Sequence, residues 1–234
     1  ARDSEGRRIK IPAEMKYFDW QAVYIDKSKT LEDWRKDKYV LPRFIKVTYE
    51  SEAKARTLIE FQELANELKP IAEKYTGRKS LWSGKILLRS DCYPYKDWNC
   101  DIWLEKDSPK HVLLHEMIHS CSASYYSKEI YLNNRYKEEL AVQYLCQEMS
   151  QSEGIKIIAG GYDKGVELLR KIKRSLNLNI SDLEFAQDLL NQPISKRWEY
   201  LEELTVRAAT VEEYLKVLKQ IEVLKKWKVR KKER

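Results

Sequence analysis

The stretch Val112–Ser122, VLLHEMIHSCS, sets two of the chain's three histidines four residues apart, with a glutamate directly after the first. On a helix, His115 and His119 share one face, one turn apart. Two imidazoles so placed can grip one metal ion at about 2.0–2.1 Å each. Glu116 leans toward the same side, where it can take a proton from water activated by the metal. The plainer alternative is a buried helix that happens to carry histidines, since Val112, Leu113, Met117 and Ile118 make its other side apolar. His111 lies a further turn back, near the expected helix start, and is read as a non-ligand.

A catalytic zinc site needs a third protein ligand and a fourth position left for water. Downstream, RYKEELAVQYLCQEM (135–149) predicts a second helix over about 136–149, with Leu140, Val142, Tyr144 and Leu145 to pack it on the first. Glu139, 20 residues after His119, is the preferred third ligand, and Glu138 is the register alternative. Without a metal, the same two glutamates would read as a solvated helix start favoured by the macrodipole.

These residues resemble the gluzincin branch of zinc metallopeptidases. HEMIH followed by Glu138-Glu139-Leu140 and Leu145-Cys146 is similar to zincin domains in antirestriction and polyvalent proteins of phages and mobile elements. The resemblance covers roughly residues 55–155. It implies Zn²⁺ held by His115, His119 and Glu139, with Glu116 as general base of a zinc metalloendopeptidase acting on a protein or peptide substrate. Many gluzincins carry an acidic residue four positions after the glutamate ligand; here Gln143 stands there, able to hydrogen-bond but not to ionise. In zincins a tyrosine or histidine often polarises the substrate oxyanion. Tyr125, Tyr126 and Tyr131, in the segment between the helices, are available, with Tyr126 the candidate.

Around this centre the pattern predicts an α+β fold. Apolar positions 58, 61, 64, 65, 68, 71 and 72 predict a helix from Ala53 to Tyr75, kinked or split at Pro70 and stopped by Gly77. FIKVTY (44–49), LWSGKILLRSD (81–91) and CDIWLEKD (100–107) read as strands, with YPYKDWN between the last two as a turn. An exposed edge at Asp101 and Trp103 would offer main-chain pairing to an extended peptide. Ser108-Pro109 predicts the metal helix's start, with Ser108 as N-cap and Pro109 as first residue. Residues 122–135 read as loose. Further helices are expected over 162–176, 181–191, 194–204 and 210–229. The organisation is then an irregular aromatic-rich arm (1–45), a zincin-like core (46–160) and a C-terminal helical region with a basic tail (161–234).

The arm carries a second resemblance. GRRIKIPAEMKYFDW is similar to the segment that ends the Mu F-like domain of phage minor head proteins. That implies the C-terminal part of a longer virion protein, with virion or mobile-element partners, and the missing initiator Met accords with it.

Composition excludes several other classes. Only seven glycines occur, against roughly sixteen at an average usage of about 7%. Neither GxGxxG nor GxxxxGK[ST] is present, so a phosphate-cradling loop is not expected. No apolar run approaches the roughly 20 residues that span a bilayer, and the N-terminus lacks an apolar signal region. A cytoplasmic or virion-associated location is therefore expected, with no membrane partner. Cys92, Cys100, Cys121 and Cys146 have no CxxC spacing, and reduced thiols are expected, although Cys92 and Cys100 would be the pair to bridge in an exported chain. The net charge of +7 resides in Lys216–Arg234, where nine Lys/Arg and two Glu leave the rest of the chain neutral. That tail, with Trp227, suits nucleic acid. The rival to a peptidase is thus a metal-stabilised but non-catalytic module of a phage or mobile-element protein, binding partners through the arm or nucleic acid through the tail.

Overall fold

The computed structural model describes residues 56–90, 93–122, 128–158, 160–208 and 210–226. All belong to one of the two units into which the chain divides, Arg56–Arg234. The expectations for the arm, FIKVTY, Cys92, Tyr125, Tyr126 and Trp227 lie outside the described residues.

Helix α1 (Leu58–Thr76) begins at a capping box. The Thr57 hydroxyl accepts from the Glu60 N–H at 3.2 Å, and the Glu60 carboxylate accepts from the Thr57 N–H at 2.7 Å. Phe61, Ala65, Leu68, Ala72 and Thr76 form its buried stripe, and Gly77 ends it at φ 66°, a left-handed conformation that costs glycine little. Pro70 does not split the helix. The carbonyl it leaves without a donor belongs to Asn66, and both residues are on the exposed face, where that group is open to solvent.

The sheet has three short strands: β1 (Ile86–Leu88), β2 (Tyr95–Lys96) and β3 (Ile102–Leu104), in the order β1-β3-β2. β1 runs parallel to β3 with Ile86 opposite Ile102, and β2 runs antiparallel with Lys96 opposite Ile102. Two sequence expectations change here. β2 falls in the stretch read as a turn, and β3 is the central strand, so it offers no free edge for a peptide. Asp97 explains the turn-like sequence beside β2. Its Oδ1 accepts from the N–H groups of Asn99 and Asp101, and its Oδ2 from the Trp103 indole at 3.0 Å. Ile102 and Leu104 point into the core, while Trp103 stacks on Tyr95 on the opposite face at 5.9 Å.

Helix α2 (Lys110–Cys121) carries HEMIH and packs on α1, β2 and β3. Its N-cap is Pro109, one residue later than expected. Ser108 is used in the preceding turn instead, where its hydroxyl accepts from the Glu105 N–H at 3.0 Å. Helix α3 (Lys128–Ser152) is longer than its sequence pattern suggested and takes in most of the segment read as loose. Tyr131 explains the extension: it is buried, and its ring meets Trp98 edge-on at 5.4 Å, so tertiary packing overrides a polar sequence.

Helices α4 (Asp163–Ser175), α5 (Asp182–Asn191), α6 (Arg197–Leu204) and α7 (Val211–Lys226) follow the predicted spans closely. α5 starts at a second capping box, Ser181 with Glu184. It packs on α3, where Phe185 meets Tyr144 edge-on. One apolar core runs from Phe61 on α1 to Leu224 on α7, so the C-terminal helices share it with the sheet. Val217, Ile221 and Leu224 are buried, so removing 216–234 to test the basic tail would strip the core. No described helix is long and apolar enough to cross a membrane.

Ile102, fully buried at the sheet centre, and Leu58, about half exposed, separate packing from surface effects. Ile102→Ala is expected to lower unfolding free energy by about 2–5 kcal/mol, and Leu58→Ala by less than about 0.5 kcal/mol, both read by urea denaturation.

Candidate metal centre

Every residue of α2 from Leu113 to Cys121 is buried, and about a tenth of the His115 side chain stays accessible. α3 lies antiparallel beside it. The Cys146 thiol donates to the His111 carbonyl at 3.4 Å, His115 faces Gln143, and His119 faces Glu138 and Glu139. A four-residue step on one helix is thus met by a four-residue step, Glu139 to Gln143, on the other.

Three ligand atoms converge. The Nε2 atoms of His115 and His119 are 3.1 Å apart, and Glu139 Oε2 lies 3.4 Å from each. Ligands around a tetrahedral ion at 2.0–2.1 Å stand about 3.3–3.4 Å from one another, so this triangle has the size of one tetrahedral face. His115, His119 and Glu139 are all buried and together could hold a metal ion.

The outer atoms of these side chains are also fixed. Gln143 Oε1 lies 2.9 Å from His115 Nδ1. The amide nitrogen of Gln143 donates to Asp163 at 3.3 Å, which turns its oxygen to the imidazole. Nδ1 of His115 must then donate, which leaves Nε2 with its lone pair toward the triangle. His119 Nδ1 faces Glu138 Oε1 at 3.4 Å. The other Glu138 oxygen accepts from Arg197 at 2.6 Å. Glu139 Oε1, on the side away from the imidazoles, accepts from the Tyr131 hydroxyl at 3.2 Å and from Arg135 Nε at 3.3 Å.

The two register alternatives therefore occupy different places. Glu139 joins the triangle and keeps 7% of its surface accessible, whereas Glu138 is fully buried behind His119. His111 stands outside the triangle; burial, with the charge of His115, pushes its pKa down to about 4. Of the tyrosines weighed, Tyr131 is at the site, and Tyr126 is outside the described residues. Arg135, Asp163 and Arg197 carry no local signal in the sequence, because what they do depends on helices that meet only in the fold.

Proton affinities reflect the same crowding. Burial disfavours charge on His115, but contacts with Cys146, Glu139 and Glu116 outweigh it and raise its pKa well above the usual value. At His119 burial is again outweighed, by Glu139 and Glu138, and the pKa reaches about 9. Burial works against the Glu139 carboxylate too, yet His119 and His115 hold its pKa well below the ordinary range. Glu116 differs. Burial raises its pKa, and the opposing pull of the histidines and the Lys96 N–H only partly offsets this.

Comparison of the chain with protein-family models, curated proteins and solved structures gives no match.

Gln143→Leu keeps the volume but removes the acceptor for His115 Nδ1. It is expected to weaken metal uptake about 10–100-fold, measured by competition with a chromogenic chelator. Unchanged affinity would deny Gln143 this role.

Proposed function

We propose that the chain is a zinc-dependent metallopeptidase built on a zincin-like core of α1, the mixed sheet, α2 and α3. The observation that supports this best is the triangle of His115 Nε2, His119 Nε2 and Glu139 Oε2, with Glu116 next to the first ligand on the same buried helix. Two imidazoles and one carboxylate suit Zn²⁺ and leave a coordination position for chemistry. Bound there, zinc would acidify a water molecule and polarise a peptide carbonyl.

The protein's own groups divide the remaining work. Glu116 takes the proton from the attacking water. Its raised proton affinity makes it a stronger base than an exposed carboxylate, and it then returns the proton to the leaving amine. Gln143 and Glu138 hold the two imidazoles with Nε2 inward. Tyr131 donates its hydroxyl to Glu139 Oε1 and so supports that ligand. β2 is an outer strand packed on α2, and the Lys96 N–H reaches Glu116. An extended substrate peptide would accordingly lie along β2 rather than β3.

Plasma mass spectrometry on protein purified without chelators is expected to find about one zinc per chain, with most of it lost in Glu139→Ala. Glu116→Gln should keep the metal and lose cleavage of a peptide library by about 100-fold or more. Wild-type protein that takes up no zinc when the ion is added back, or Glu116→Gln with full activity, would overturn the proposal.

A further inference from the structure

We infer that Arg197 is a positioning residue of the metal centre, holding the Glu138 carboxylate so that it orients His119. The inference rests on the metal-site reading above and extends the site into the C-terminal helices.

Arg197, the first residue of α6, is 1% exposed, and Glu138 is fully buried. Their 2.6 Å contact is a charge pair taken out of water. Such a pair loses so much hydration that its attraction barely repays the loss, and apolar residues of similar volume would fill the space at lower cost. Stability alone is therefore a poor reason for it. Geometry supplies a better one. Arg197 Nη1 also donates to the Lys137 carbonyl at 3.1 Å, and Nη2 donates to the Leu190 carbonyl at 2.9 Å. The guanidinium is thereby fixed to α3 and to the last turn of α5. A fork held at those points fixes Glu138 Oε2, which leaves Oε1 facing His119 Nδ1 at 3.4 Å.

The other imidazole is supported in the same way. His115 is backed by Gln143 on α3, and Gln143 is backed by Asp163, the first residue of α4. Each histidine thus has one partner on α3, and each partner is held by a charged residue that opens a C-terminal helix. The sequence separations, 59 residues for Arg197 to Glu138 and 20 for Gln143 to Asp163, mean that neither support forms until those helices dock. At the His119 end the support is ionic and fully enclosed, so it is the more sensitive of the two to loss of one member.

The test is a cycle of zinc affinities on the full chain, measured by chelator competition, with folding checked by circular dichroism and melting temperature. The variants are Arg197→Met, Arg197→Lys, Glu138→Gln and the Glu138→Gln/Arg197→Met double. Arg197→Met is expected to bind zinc about 10–100-fold more weakly, and Arg197→Lys to recover part of the loss. The double variant should bind no more weakly than Glu138→Gln alone, because Arg197 acts through Glu138. A folded Arg197→Met with wild-type affinity would overturn the inference. Losses that multiply in the double variant would overturn it too, since they mark a purely structural contribution. Should Arg197→Met not fold, Arg197→Lys and its double with Glu138→Gln decide by the same comparison. Wild-type protein that binds no zinc would overturn the metal reading and this inference together, whereas zinc-binding wild type with unaffected Arg197 variants would overturn this inference alone.

Discussion

Two imidazole nitrogens and a carboxylate oxygen, all within 3.4 Å of one another, repel unless something positive stands among them. The fold holds them there nonetheless, and much of the arrangement around α2 follows from that constraint. α2 must be buried on every side to keep His115 and His119 from turning out to solvent, so α1 and the sheet cover one side and α3 the other. Burial opposes charge on all three groups, but their mutual contacts outweigh it, raising the proton affinity of both imidazoles and lowering that of Glu139. A divalent cation held there would satisfy the same field and displace protons, so metal uptake would be coupled to proton release.

Much of the centre was legible in the sequence because helical periodicity is local. HEMIH on a helix puts both histidines on one face wherever that helix ends up, and the apolar stripe of RYKEELAVQYLCQEM says which helix covers it. The sequence reading prefers Glu139 to Glu138, but spacing alone does not decide between them. Adjacent helical residues differ by about 100° in direction, and only the actual contact between α2 and α3 decides which carboxylate meets the Nε2 atoms. β2 was missed because two residues carry no periodicity, and the Asp97-centred turn beside it dominates the local signal. The first two turns of α3 were missed for a related reason. KEIYLNNR is polar and holds two asparagines, and only the burial of Tyr131 against Trp98 makes it helical.

Arg197 illustrates the limit most clearly. A lone arginine in KRWEYLEEL reads as one more surface cation on a charged helix. In the fold it is among the largest fully buried side chains, and it ties α3, α5 and α6 together at one point. Long-range ion pairs of this kind leave no trace in spacing, since both partners are common residue types and the intervening chain is arbitrary.

The charges at the centre also explain why two adjacent glutamates take different parts. Glu138 is neutralised by Arg197, and an anion already committed to a buried guanidinium has little left to offer an ion. Glu139 pairs with Arg135, whose side chain is about half exposed and whose hold is weakened by solvent. Glu116 feels the two histidines and Lys96, yet burial outweighs them and raises its pKa. Among the described residues, Glu139 and Glu116 are the carboxylates close to both histidines that are not tied to a buried guanidinium. Were the Glu138 charge uncompensated, a third anion would face the site from behind His119. The buried arginine therefore lets a carboxylate face His119 without adding its full charge to the site.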